Sequence, residues 1–359
     1  MDTITNKQSF AIIISFMLCN AFSVLFGTDC GRSVWIAYII AATLSVFVWF
    51  LLSTICDKYN FNSFFEMLSF PFGKVCGVIL SAVLALYALL SCITSISLFS
   101  RFVQISSLAK TPLIVLPVTI LLIAAFTLKS GLHVFSRSSV LFFPFLIFTF
   151  VIFIFFGLPQ LDFQNITPIL GNGTVATFKS ALTVFTNQFG DALILFSIYP
   201  HIAKNKKRKA ATLWAMIIAT ALASIIALFT VLTLGGTQMQ SEFFPVFTIL
   251  SIRKVGAYIQ HMEILTSVAM TFSVFIRQAV CLYFISLAIS HIVKAKTHKI
   301  FLVPLGLIIS CGVGLLYQNI MSLRWRVESD LNIYILLPLQ LILPCLIGVT
   351  LIFKRKKEK

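Results

Sequence analysis

Polar side chains in the middle of apolar runs are the residues with chemistry to offer. The run Thr186-Asn187-Gln188-Phe189-Gly190-Asp191 interrupts an otherwise apolar segment near its centre. Polar groups buried in hydrocarbon are costly and face a cavity or a partner. Gly190 weakens a helix by ~1 kcal/mol relative to Ala. Either of two readings fits: two half-helices with free backbone groups at the break, or a kinked helix whose polar residues bond its neighbours. A second candidate, Cys19-Asn20-Ala21-Phe22-Ser23, sits within the first apolar run. Small and polar residues there allow a break or close helix packing. Arg277 lies deep in a long apolar run, about a dozen residues or more from either end, too far to snorkel. Asp191 is the acid expected deep in such a run, so the two charges either pair or face separate water-filled cavities. Tyr87, Ser91, Thr94 and Ser95 share one helical face. That face lines a cavity or glues helices together.

Other chemistries are absent. There is no Gly-rich phosphate loop, no H-E-x-x-H and no G-x-S-x-G, which argues against an enzyme. His133, His201, His261, His291 and His298 do not cluster, and none of the eight cysteines forms a C-x-x-C pair. Neither a metal site nor a cofactor is expected.

The elements that must position these groups are membrane helices. Of the 359 residues, 59% are hydrophobic and 11% charged. A soluble domain carries roughly 25% charged residues, so most of this surface faces lipid. Ten runs approach the ~20 residues that span a bilayer. They cover about 8–28, 34–56, 75–99, 112–128, 140–158, 175–199, 210–234, 259–289, 300–317 and 333–353. The net charge of +16 does not mark a nucleic-acid binder, because the basic residues sit in short loops between apolar runs. With the N-terminus inside, 18 Lys and Arg fall on the inner side, 8 on the outer side, and Arg277 within a span. That bias puts both termini in the cytoplasm. Segment 61–73 is expected to rest on the inner membrane surface, and 235–259 to contribute a short outer cap. The basic tail Lys354–Lys359 meets anionic lipid at ~1 kcal/mol per basic residue, or a partner.

The first and sixth spans occupy corresponding places if ten helices form two halves of five. An odd number per half forces the second half to insert inverted. The expected fold is an all-α membrane protein, one domain over 1–359, with helices 1–5 over about 8–158 and helices 6–10 over about 175–353. It has two inverted five-helix repeats, a LeuT-like arrangement, with helices 1 and 6 broken.

At these residues the chain resembles the B subunits of spore germinant receptors, the spore germination permeases of the amino acid–polyamine–organocation superfamily. The similarity runs over nearly the whole chain. It is carried by Gly31-Arg32-Ser33-Val34-Trp35, by Phe189-Gly190-Asp191 followed by Tyr199-Pro200-His201-Ile202 and a Lys-rich loop, and by Phe244-Pro245, Ser251-Ile252-Arg253, Gly256, His261-Met262-Glu263 and Arg277. The family more often carries Glu where Asp191 stands, and Gly or Ser where Cys19-Asn20-Ala21-Phe22 stands. The resemblance implies a pocket between helices 1, 3, 6 and 8. It implies a sensor that binds a small nutrient such as an amino acid, with larger A and lipoprotein C subunits as partners, in the inner membrane of a spore. The candidate binding residues are Cys19, Asn20, Phe22, Ser23, Tyr87, Ser91, Thr94, Ser95, Asn187, Phe189, Gly190, Asp191 and Arg277. Transport of an amino acid or polyamine is the alternative, since one fold serves both. A membrane scaffold without a ligand is a third reading.

Overall fold

The computed structural model describes residues 3–106, 110–251, 263–317, 319–329 and 331–357. Ile252, Arg253, Gly256, His261 and Met262 of the expected outer motif lie outside them.

The first helix, α1 (Asn6–Ser23), starts at a capping box. Thr5 Oγ1 accepts the Gln8 N–H at 3.4 Å, and Gln8 Oε1 accepts the Thr5 N–H at 2.9 Å. These bonds satisfy two donors that a helix start leaves open. Residues from Ala11 to Ser23 are buried all round. A helix apolar on every side belongs at the centre of a bundle, and α1 packs on α5 (Leu132–Gly157), α8 (Arg208–Ser241) and α10 (Glu263–Val293). The chain leaves the helix after Ser23, runs extended through Val24, and turns at Gly27 with φ +71°. A short 3-10 helix, Thr28–Ser33, follows. A Cβ at Gly27 would sit 2.8 Å from the Ser180 carbonyl oxygen, so glycine is required by both conformation and space. The break in the first span therefore follows the Cys19–Ser23 cluster instead of falling within it.

The remaining helices are α2 (Val34–Tyr59), α3 (Phe64–Ser106), α4 (Val115–Ser130), α6 (Thr174–Val184), α7 (Ala192–Leu195), α9 (Pro245–Ser251), α11 (Leu302–Leu316), α12 (Ile320–Glu328), α13 (Leu331–Leu337) and α14 (Leu343–Lys357). Gly73, with φ +82°, divides α3. The segment before it, expected on the membrane surface, is docked on the protein. Phe64 and Phe65 are buried and meet Phe196 and Phe284, because the neighbouring spans offer an aromatic face.

Among the described residues, helix occupies most of each of the ten expected runs. Among the described residues, seven helical runs are long and apolar enough to cross a membrane, and an eighth is reached if α11 and α12, bent by 101°, count as one span. The polar first turn of α1 and the 16 residues of α4 keep those two outside that measure. The halves interlock in a regular way. The second, third and fourth spans of the first half pack on their counterparts in the second half: α2 on α8, α3 on α10, α4 on α11. That pairing is what two inverted repeats wrapped around a common axis produce.

Candidate functional site

The sixth span is the irregular one. After α6 the helix widens into a π turn at Phe185–Phe189, passes Gly190 and Asp191, makes the single turn α7, and tightens to a 3-10 helix at Phe196–His201. Gly190 and Asp191 keep right-handed helical angles, so the span changes pitch instead of opening into an extended stretch. π turns release backbone groups from their i→i+4 partners. Neighbouring side chains take three of the carbonyls up. Asn20 on α1 donates to Asn187 O at 3.0 Å, Ser45 on α2 to Phe189 O at 3.0 Å, and Gln340 to Thr186 O at 2.9 Å. Gln340 comes from a second π turn, Pro338–Ile342, between α13 and α14. A Cβ at Gly190 would overlap the Gln340 carboxamide. Glycine at 190 thus makes room for the amide that supports the turn.

This scaffold delivers Asp191 to the interior, where it is 2% exposed. Tyr87 OH donates to its Oδ1, Ser91 Oγ donates to Oδ2 at 3.0 Å, and Arg277 Nη2 forms an ion pair with Oδ2. Gln340 Nε2 also donates to Tyr87 OH at 2.8 Å. The Arg277 guanidinium stands 4.8 Å from the centroid of the Phe16 ring, a favourable cation–π approach. A charge in the bundle needs this much company, since burial of either one alone is strongly disfavoured. The guanidinium is not saturated. Its Nε and Nη1 are buried and have no acceptor among the described residues, and neither has the Ser95 hydroxyl.

These groups line a cavity of about 50 Å³. Small-molecule pockets are usually ~300–1,000 Å³, so the site is contracted. Asn20, Tyr87, Ser91, Thr94, Ser95, Asn187, Asp191 and Arg277 are all on its wall. Thr94 Oγ1 lies 2.9 Å from Tyr317 OH. The remaining candidates stand behind the wall. Cys19 and Phe22 are core, and Ser23 donates to Cys19 O at 2.9 Å. Phe189 packs edge-on against Tyr38, whose hydroxyl donates to Gln188 at 3.0 Å. Gly190 acts through its lack of a side chain. The aromatic contribution of the first span comes from Phe16 and Phe26 instead of Phe22.

Sequence reasoning missed three contributors. Gln340 is one; it is the lone amide in an apolar run between Pro338 and Pro344, and the rule that singled out Asn187 applies to it equally. Asn332 is another, donating to Asn187 Oδ1 at 3.1 Å and to Arg326 O at 2.7 Å. The third is α12 itself, which brings Arg326 and Val327 to the cavity wall. No periodicity marks it, because its position depends on the sharp bend after α11.

The comparisons fit this picture. The family model described as "Spore germination protein" matches residues 3–320. Spore germination protein KB of Bacillus subtilis (strain 168) is 22% identical over 363 residues, 99% of this chain and 96% of its own length. Spore germination protein YndE of the same organism is 23% identical, over 86% of each chain. Among solved structures, Mhp1, a nucleobase–cation symporter in a closed conformation with bromovinylhydantoin bound, superposes with a TM-score of 0.68 at 16% identity, covering 92% of this chain and 76% of that one. A sodium-coupled sialic acid symporter superposes at 0.64 and 13% identity, covering 94% and 79%. The fold is therefore that of these transporters.

Proposed function

This chain belongs to the spore germination protein family, and from that premise we propose that it is the nutrient-sensing membrane subunit of a germinant receptor, binding a small ligand such as an amino acid to trigger germination. Its partners in this reading are the A and C subunits, and its place is the inner membrane of the spore, with both termini cytoplasmic.

One observation carries the reading. Arg277 is buried beside Asp191 with two donor nitrogens, Nε and Nη1, left without an acceptor among the described residues, on the wall of a cavity too small for a nutrient. An unpaired buried donor costs ~1–3 kcal/mol. A ligand carboxylate would supply the missing acceptor, and a ligand ammonium would find Asp191, Tyr87 and Ser91 beside it. Entry requires the cavity to open, so the ligand binds an opened conformer better than the contracted one. That differential affinity is what allows a ligand to signal at all.

Spores carrying Tyr87→Phe or Ser91→Ala test this over a panel of amino acids, with protein level read by blot. The expected result is at least a tenfold rise in the nutrient concentration for half-maximal response at normal protein level. An unchanged response would remove this cavity from sensing. Transport is the second reading, favoured by the fold of the two symporters. Uptake of the active nutrient into proteoliposomes holding this chain alone would select it.

A further inference from the structure

A larger cavity lies at the far end of the sixth span, about 500 Å³ in volume. That is within the usual range for a small-molecule pocket. Five separate parts of the chain meet around it: Thr3 ahead of α1, Asn62 between α2 and α3, Pro200, His201, Ile202 and Lys204 at the end of the sixth span, Tyr283 on α10, and His298 with Lys299 after α10. Leu128 and Leu132 close it at the α4–α5 corner.

The chemistry of the wall is one-sided. Lys204 and Lys299 bring two ammonium groups, and Lys299 is steadied by a 3.0 Å bond to Lys129 O. His201 Nε2 is 3.1 Å from Tyr283 OH. The Tyr283 ring stands edge-on between the imidazoles of His201 and His298, with centroids 5.7 and 5.3 Å away. Burial, then Lys299, then His201, push the His298 imidazole below its ordinary value, so near pH 7 it is neutral and offers one N–H donor. Among the described residues no Asp or Glu lines the cavity. The neighbouring acids are engaged elsewhere: Asp57 with Arg208 and with Tyr199 OH at 2.9 Å, Glu66 with the Asn62 N–H at 3.1 Å.

We propose that this cavity binds a small anion through a phosphate or carboxylate group, with Lys204 and Lys299 supplying the charge and the His298 and Tyr283 side chains the neutral contacts. Such charge-assisted bonds are the strong ones at a partly desolvated site. The anion is either a free metabolite or the headgroup of an acidic lipid, because both present the same anionic group to the two lysines. Its wall, at Thr3, His201 and Ile202, adjoins a backbone clasp. Ile4 N donates to His201 O at 3.0 Å, and Ala203 N donates to Ile4 O at 2.9 Å. An anion seated here holds the start of the first span, the end of the sixth and the end of α10 together, and so favours the contracted state of the central cavity.

The test uses the full chain and two arms. In the first, inorganic pyrophosphate is titrated onto protein in a neutral detergent at constant ionic strength, with thermal unfolding as the readout. In the second, the protein is reconstituted into phosphatidylcholine nanodiscs with and without phosphatidylglycerol. A saturable rise in unfolding temperature in either arm, retained by Lys206→Gln/Lys207→Gln and weakened about tenfold or more in apparent affinity by Lys204→Gln/Lys299→Gln, supports the site. A response to pyrophosphate identifies a free anion, and a response to phosphatidylglycerol alone identifies a headgroup. Lys204→Glu alone carries the same expectation should the double variant fail to fold. No saturable stabilisation in either arm, or equal stabilisation of the site variant, overturns the proposal.

Discussion

Asp191 and Arg277 are the two residues on which most depends. Each is buried and each neutralises the other's charge. Arg277→Gln leaves a carboxylate without its cation, and Asp191→Ala leaves a guanidinium without its anion. Breaking a buried pair from one side costs about 3–5 kcal/mol. Both single variants should therefore unfold at lower temperature in detergent, whereas the double variant Asp191→Asn/Arg277→Gln should recover much of the loss and still fail to restore germination. Equal losses in the double and single variants would count against the pair. Gly190 makes a different prediction. Gly190→Ala drives a methyl into Gln340, and overpacking of this kind costs about 1–3 kcal/mol. Gln340→Ala in the same chain should return part of that loss in the same unfolding measurement. The charges were legible in the sequence because a lone Asp and a lone Arg stand out in apolar runs. Gln340 was not, since one neutral amide among leucines barely changes hydropathy, and its importance comes from a π turn that no spacing announces.

At the scale of elements, the sixth span survives its irregularity because three neighbours bond the carbonyls it frees. Ser45→Ala removes one of those bonds and leaves a buried carbonyl unmet. The expected cost is about 1–3 kcal/mol. A control at Thr43, which donates to Ile40 O on the exposed side of α2, should stay within a few tenths. Equal effects at both positions would show that the bond to Phe189 O does not support the turn. Apolar run lengths were enough to locate the spans, but not the breaks. In the first span the polar cluster drew attention to 19–23, while the chain actually turns where Gly27 supplies the left-handed angle. In the sixth, the sequence left open a free pair of half-helix ends or a bonded kink. The observed turn combines both: the helix changes pitch and side chains cover the exposed groups.

For the whole molecule, Arg277 reaches from α10 to Phe16 on α1 and to Asp191. A fixed positive charge there disfavours a metal cation between the same helices. In the proposed sensing role, nutrient binding by the purified chain should accordingly be equal in sodium chloride and choline chloride, measured by calorimetry. Sodium-dependent affinity would show that the guanidinium does not exclude a cation. The lysine count predicts orientation as well. A cysteine at Lys206 should resist an impermeant maleimide applied to intact cells, and one at Asn172 should react. The inverted repeat was readable from an even split into two odd halves, and the pairing of α2 with α8 and α3 with α10 follows from it. The contracted cavity was not readable, because volume depends on how α12 folds over the bundle.

The clasp between Ile4 and residues 201–203 closes a ring across the sequence with two backbone bonds. Both amide hydrogens leave the clasp together when Ile4 and residues 201–203 part. Their exchange with deuterated solvent is thus a local clock for that parting, readable by mass spectrometry on two short peptides. It needs neither a ligand nor a mutation, and it separates opening of this clasp from global unfolding, which the buried core of α1 would report at a much slower rate.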